Sequence, residues 1–170
     1  MRKHVPVVHR RSPGLALGFL AVLAGTAGCG DGRFKNEQAF LKQPLATQHE
    51  QFVGLPPAKQ IQIYLAAQSH EPPDTSFCRE IGQSSGRSAV SEIVRFLEAE
   101  KEDYAKLDLL RALECVVHAQ GPICDRAVWK LATDVAASVK DEEWRRDAEN
   151  AVRGLQCAEP PSVTRVPTPP

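Results

Sequence analysis

Glu102-Asp103-Tyr104-Ala105-Lys106-Leu107-Asp108-Leu109-Leu110-Arg111-Ala112-Leu113-Glu114-Cys115-Val116 and Asp141-Glu142-Glu143-Trp144-Arg145-Arg146-Asp147-Ala148-Glu149-Asn150-Ala151-Val152-Arg153-Gly154-Leu155 are the two stretches that decide the fold. Set side by side at a shift of 39 residues, they carry one pattern. Lys106 falls on Arg145, Leu109 on Ala148, Ala112 on Ala151, Leu113 on Val152 and Val116 on Leu155. Each is preceded by a second apolar stripe, Val90, Ile93, Val94 and Leu97 in one case and Val128, Leu131, Ala132 and Val135 in the other. Apolar residues at steps of three and four place one face of a helix against a core. Two helices repeated at a period near 40 predict stacked helix pairs, each burying its apolar face on its neighbours.

Working outward, the turn signals agree. Lys101-Glu102 separates the first two helices, Gln120-Gly121-Pro122 ends the second, and Asp125 and Asp141 stand where caps are needed. Upstream, Pro56-Pro57 opens a helix whose face is Ile61, Tyr64, Leu65 and Gln68. A short helix follows, with Phe77, Cys78 and Ile81 inward, closed by a break at Ser84-Ser85-Gly86. Before that, residues 33–42 suit a short helix carrying Phe34, Phe40 and Leu41, which Pro44 ends. Aromatics make up only 6% of the chain, so Ala and Leu are expected to fill the core. In the last helix Trp144, Ala148, Ala151, Val152 and Leu155 are assigned to the core face.

Asp141-x-x-Trp-Arg-x-x-Ala-x-x-Ala-Val-x-x-Leu resembles the second half of a HEAT repeat, an acid at the turn followed by a basic residue and inward-packing small residues. The resemblance covers residues 86–156, with residues 55–85 as a weaker extension. It implies an all-α fold, a short α-solenoid of two to three antiparallel helix pairs, over 55–157. A binding face is expected on it, with Glu92, Arg95, Lys130 and Arg146 as candidate contacts.

The N-terminus carries a different signal. Arg2, Lys3, Arg10 and Arg11 lead into an apolar run at 15–24, too short for the ~20 residues of a membrane-spanning helix and suited to a signal peptide. Ala27-Gly28-Cys29 resembles the lipobox of bacterial lipoproteins, with Thr26 where that family usually has Leu. The resemblance implies cleavage after residue 28 and acylation of Cys29 (palmitate among the chains). It further implies an exported protein at the periplasmic face, in the outer membrane if the cell is Gram-negative, since Gly30 rather than Asp follows Cys29. The expected organisation is a signal peptide at 1–28, a tether and lead-in at 29–54, the helical domain at 55–157, and a tail at 158–170. Five prolines in the last twelve residues predict that this tail is disordered.

Formal net charge is zero, but setting aside the four bases of 1–28 leaves 17 bases against 21 acids. Such a chain lacks the clustered basic surface that nucleic acid requires. Four cysteines lie beyond Cys29: Cys78, Cys115, Cys124 and Cys157. An even number in an exported domain predicts disulfides, in any of three pairings. Two arrangements stand out, Cys115 with Cys124 across the Gly121-Pro122 turn, or Cys157 reaching back to Cys115 or Cys124. The rival is a tetrahedral zinc site from Cys115, His118, Cys124 and Cys157. No nucleophile elbow, phosphate loop or haem-attachment motif is present, so no cofactor and no catalysis are expected. The predicted function is that of a lipid-anchored, non-enzymatic scaffold or adaptor for an envelope protein. The alternative is a ligand- or metal-binding envelope protein using the Cys/His group.

Overall fold

The computed structural model describes residues 34–70, 73–155 and 157. Every regular element among them is helical, as expected. In order these are α1 (Lys35–Leu41), α2 (Leu45–Phe52), α3 (Pro57–Gln68), α4 (Ser76–Glu80) running on into a π turn (Ile81–Ser85), α5 (Ser88–Ala99), α6 (Asp103–Gln120), α7 (Arg126–Ser138) and α8 (Glu142–Gly154). The expected signal peptide at 1–28, the expected lipobox with Cys29, and the expected disordered tail at 158–170 lie outside the described residues.

Local chemistry accounts for the boundaries. Pro57 occupies the first turn of α3, where a missing N–H costs nothing. Asp125 accepts from the backbone N–H groups of Ala127 and Val128, and Asp141 from that of Trp144 at 3.0 Å. Each such cap contributes about 1 kcal/mol. Gly121 ends α6 at φ +81°, a conformation that disfavours any residue with a Cβ. Just past it the Arg87 guanidinium donates to the carbonyls of Gln120, Gly121 and Pro122 at 2.9–3.4 Å, which satisfies acceptors at the helix end.

The helices lie in two layers. α3, α5 and α7 pack side by side in one, and α4 with its π turn, α6 and α8 in the other. α6 is the centre: it meets α3, α4, the π turn, α5, α7 and α8. Leu109, Leu110, Ala112, Leu113 and Val116 are fully buried. The residues paired across the 39-residue shift share burial, Leu109 with Ala148, Ala112 with Ala151, Leu113 with Val152 and Val116 with Leu155. Both helices also begin at equivalent positions, Asp103 and Glu142. They differ where α6 has a neighbour on each side and α8 has not. Leu107 and Leu110 are buried, whereas Arg146 and Glu149, one shift on, face solvent. Alanine is prominent in the core, at Ala66, Ala67, Ala89, Ala105, Ala132 and Ala136 among others, and this lets the helices approach closely.

Three local expectations need correction. The stretch 43–54, read as part of a tether, contains α2, whose Phe52 is fully buried against Phe77 with ring centroids 4.7 Å apart. Gln48 holds this helix to α1, its amide donating to the carbonyls of Leu41 and Gln43 at 2.9 and 2.7 Å. α3 is buried on more than the one face assigned to it, because α1, α4, the π turn, α5 and α6 all pack on it. Finally, Trp144 is 40% exposed instead of core-facing. It stands in the first turn of the last helix, edge-on to Tyr104 with ring centroids 6.5 Å apart.

Candidate functional site

The chemistry-bearing residues singled out in the sequence fall into two disulfides and a set of surface charges. Cys78 on α4 is bonded to Cys115 on α6, with Cα atoms 5.8 Å apart. Cys124, just before α7, is bonded to Cys157, just after α8, with Cα atoms 5.4 Å apart. Of the three possible pairings, the one realised excludes Cys115–Cys124. The cause is the seating of α4 and its π turn on α6. Gly82 has no side chain, and a Cβ there would lie 2.4 Å from the Cys115 carbonyl oxygen. That absence allows backbone to rest on backbone one turn beyond Cys78.

This pairing dismantles the zinc alternative. Cys115 is bonded to a residue outside the proposed ligand set, and Cys124 and Cys157 are bonded to each other. The His118 side chain is 76% exposed beside Glu114 at 3.6 Å. Among the described residues no three potential ligands converge on one point.

The remaining candidates have structural partners. The Ser84 hydroxyl donates to the Glu80 carbonyl at 2.7 Å, and that of Ser85 to the Gln60 side chain at 2.7 Å. Gln60 is fully buried and donates to the Phe52 carbonyl at 2.8 Å, so the π turn is tied to α3 by a satisfied polar network. His49 is half-buried, paired with Glu80 and stacked on Phe77 at 5.6 Å between centroids. His70 is exposed. In the acidic run, Asp103 accepts from the backbone N–H of Lys140 at 2.7 Å, and this bond is the main reason its pKa is held below the usual carboxylate range.

One group of titratable residues links α3, α6 and α8, with Tyr64 and Asp108 buried and Arg111 and Asp147 exposed. Asp108 on α6 sits 3.5 Å from Arg111, which reaches across to Asp147 on α8 at 3.3 Å. The Tyr64 hydroxyl on α3 donates to the Asp108 backbone carbonyl at 3.1 Å. Burial pushes the Tyr64 phenol far up, and the Asp108 charge adds to this. Burial also pushes the Asp108 carboxyl up to about 6, with Arg111 opposing. The folded state thus binds this proton more tightly than the unfolded chain, where the pKa is the ordinary 3.8. Its contribution to stability is full below about pH 4, falls as pH rises to about 6, and stays constant above, a loss of about 3 kcal/mol at most. Asp108→Asn should remove that slope, so urea unfolding at pH 4.5 and 7.5 should show the variant gaining on the parent at the higher pH. Equal differences at both pH values would contradict the assignment.

An open depression on the surface is lined by Pro73, Asp74, Thr75, Ser76 and Arg79, none of which belongs to this group. The raised pKa values of Tyr64 and Asp108 follow first from their burial by helix packing.

The candidate contact residues divide between the layers. Arg95 pairs with Glu92 at 2.7 Å on α5, and Lys130 with Asp134 at 2.5 Å on α7, in one layer. Arg146 is exposed on α8, in the other. Sequence reasoning missed a stronger feature. Trp129 and Trp144 are the chain's two tryptophans, on consecutive helices, and they are 38% and 40% exposed. The signal for Trp129 was available, since it lies off the stripe of Val128, Leu131, Ala132 and Val135. No protein-family model, no curated protein and no solved structure matches the chain.

Proposed function

We propose that this chain is a lipid-anchored adaptor of the cell envelope, a short α-solenoid of HEAT type whose α7–α8 pair presents Trp129 and Trp144 to a protein partner. The observation that carries the reading is the exposure of both tryptophans on that pair in a chain otherwise poor in aromatics. Exposed tryptophan is enriched among the residues that dominate protein–protein binding energy. The two-layer stacking of α3, α5 and α7 over α4, α6 and α8 favours the repeat reading, because repeat folds commonly bind partners through an extended face. α8 suits the end of such an array. Its outer surface carries Glu142, Glu143, Arg146, Glu149 and Arg153, all exposed, as a terminal capping helix needs. The anchor is Cys29 in Ala27-Gly28-Cys29, acylated after export. None of the described helices is long and apolar enough to cross a membrane.

Crosslinking in intact cells tests this directly. The parent chain should capture one recurrent envelope protein from the membrane fraction, and Cys29→Ala should release the chain from membranes. The pair Trp129→Ala and Trp144→Ala should keep the chain at the membrane but weaken partner binding by about 2 kcal/mol, some thirtyfold. Unchanged capture by the tryptophan variant would sink the binding face, and retention of Cys29→Ala at the membrane would sink the anchor.

A further inference from the structure

Leu45 and Val53 are the most exposed large apolar side chains among the described residues, at 58% and 52%. They flank the two ends of α2, with His49 between them in an i, i+4, i+8 stripe. Scattered exposed leucines need no explanation. These two differ by their position in the chain. α1 and α2 are the first described elements, and five peptide steps separate Cys29 from Phe34. That segment reaches at most about 17 Å when fully extended. α1 and α2 are themselves only ~10–12 Å long, so the reach covers both.

Charge on these helices has a sign. Lys35 and Lys42 are exposed and seven residues apart, on one outer face of α1. Glu37 is buried against Lys59, which leaves Glu50 as the exposed acid between residues 34 and 54. The two helices together therefore expose two bases and two large apolar side chains, while residues 29–170 as a whole carry an excess of acids.

We propose that α1 and α2 form a second membrane contact, with Leu45 and Val53 entering the headgroup region and Lys35 and Lys42 facing anionic lipid phosphates. The inference rests on the acyl anchor at Cys29 proposed above. The occupant is a lipid surface because a chain fixed at Cys29 holds this face within one short tether of the bilayer. At that effective concentration a contact too weak to bind alone becomes populated. Basic residues add attraction to an anionic leaflet. α1 packs on α3, and α7 on α5, so the tryptophan-bearing pair lies at the opposite end of the array. Membrane contact at one end leaves the other free for a partner.

The test uses the chain from Cys29 to Pro170, which retains every described helix. Its other four cysteines are bonded, so without reductant the Cys29 thiol couples selectively to maleimide-bearing lipid in vesicles of phosphatidylethanolamine and phosphatidylglycerol. Amide hydrogen exchange is then compared between coupled chain and thiol-blocked free chain. Coupling should slow exchange in α2 several-fold and leave α8 unchanged, and Leu45→Asp with Val53→Asp should abolish the slowing without altering the helical circular dichroism. The inference is overturned if α2 exchanges equally fast in both states, if the slowing extends equally to α8, or if the double variant keeps it. Because coupling is chemical, each outcome stands whether or not cells acylate Cys29. Acylation is read separately, from the mass of the mature chain isolated from cells.

Discussion

Replacing Cys78 and Cys115 together with alanine is expected to lower the unfolding free energy by about 4 kcal/mol. The bond closes a sequence separation of 37 residues, and opening it returns that much loop entropy to the unfolded chain. Against a total stability of about 5–15 kcal/mol this is a large share, and for a chain near the lower limit it abolishes folding at 37 °C. The consequence spreads beyond the bond. Cys78 is buried, and α4 carries Phe77, which packs against Phe52, Phe40 and His49. Loosening α4 thus frees α2 as well. Removing Cys124 and Cys157 instead, at a separation of 33, forfeits similar entropy, but the change is confined to the α7–α8 end. Urea unfolding followed by circular dichroism checks the magnitude, and hydrogen exchange checks the location. A drop below 1 kcal/mol in the first variant would show that helix packing alone holds α4.

A methyl group at residue 82 should be nearly as damaging. In Gly82→Ala the new Cβ would stand 2.4 Å from the oxygen and 2.9 Å from the carbon of the Cys115 carbonyl, and 3.1 Å from the Ala119 Cβ. Backbone atoms cannot rotate aside as a long side chain can. The π turn must therefore withdraw from α6, dragging against the adjacent disulfide and the Gln60–Ser85 bond. The expected loss is about 3 kcal/mol. Gly54→Ala is the control. Its Cβ would meet nothing closer than 3.6 Å, so its stability should stay within 1 kcal/mol of the parent. Combining Gly82→Ala with the Cys78 and Cys115 changes should cost less than the sum, because a released α4 can move away from the clash. Full additivity would mean that the two features act independently.

How much of this could be read in the sequence depended on what each element packs against. From residue 88 onward each helix has an apolar stripe and a polar face, and Gly121, Asp125 and Asp141 stand at ends where backbone groups need them. Those helices, their order and the central place of α6 were legible. α2 was not, because only Leu45 and Phe52 are large and apolar within it, and its second inward residue is Gln48. A glutamine that packs by bonding two carbonyls looks like a loop residue until those carbonyls are in place. The π turn escaped for a related reason, since Ile-Gly-Gln-Ser-Ser resembles a break unless α6 lies against Gly82. Trp144 went the other way. Its phase in α8 points inward, but at the first turn of the helix the ring stays 40% exposed, edge-on to Tyr104. The cysteine count predicted disulfides, whereas the choice among pairings needed the contact of α4 with α6. Trp129 and Trp144 could be placed on a surface only after the core was filled without them.

The order of the bonded cysteines along the chain has a consequence for biogenesis. Cys78 pairs with the next cysteine, and Cys124 with the one after it, so the two bridges are consecutive and neither crosses nor encloses the other. A chain delivered N-terminus first, by a ribosome or through a translocation channel, can close the first bridge before Cys124 has emerged. With Cys29 set aside as the acylation site proposed above, Cys78 is the only other thiol present when Cys115 emerges, and Cys124 the only free one when Cys157 does. Oxidation of these four thiols in order of appearance reaches the final connectivity without reshuffling, and the chain needs an oxidant more than it needs an isomerase.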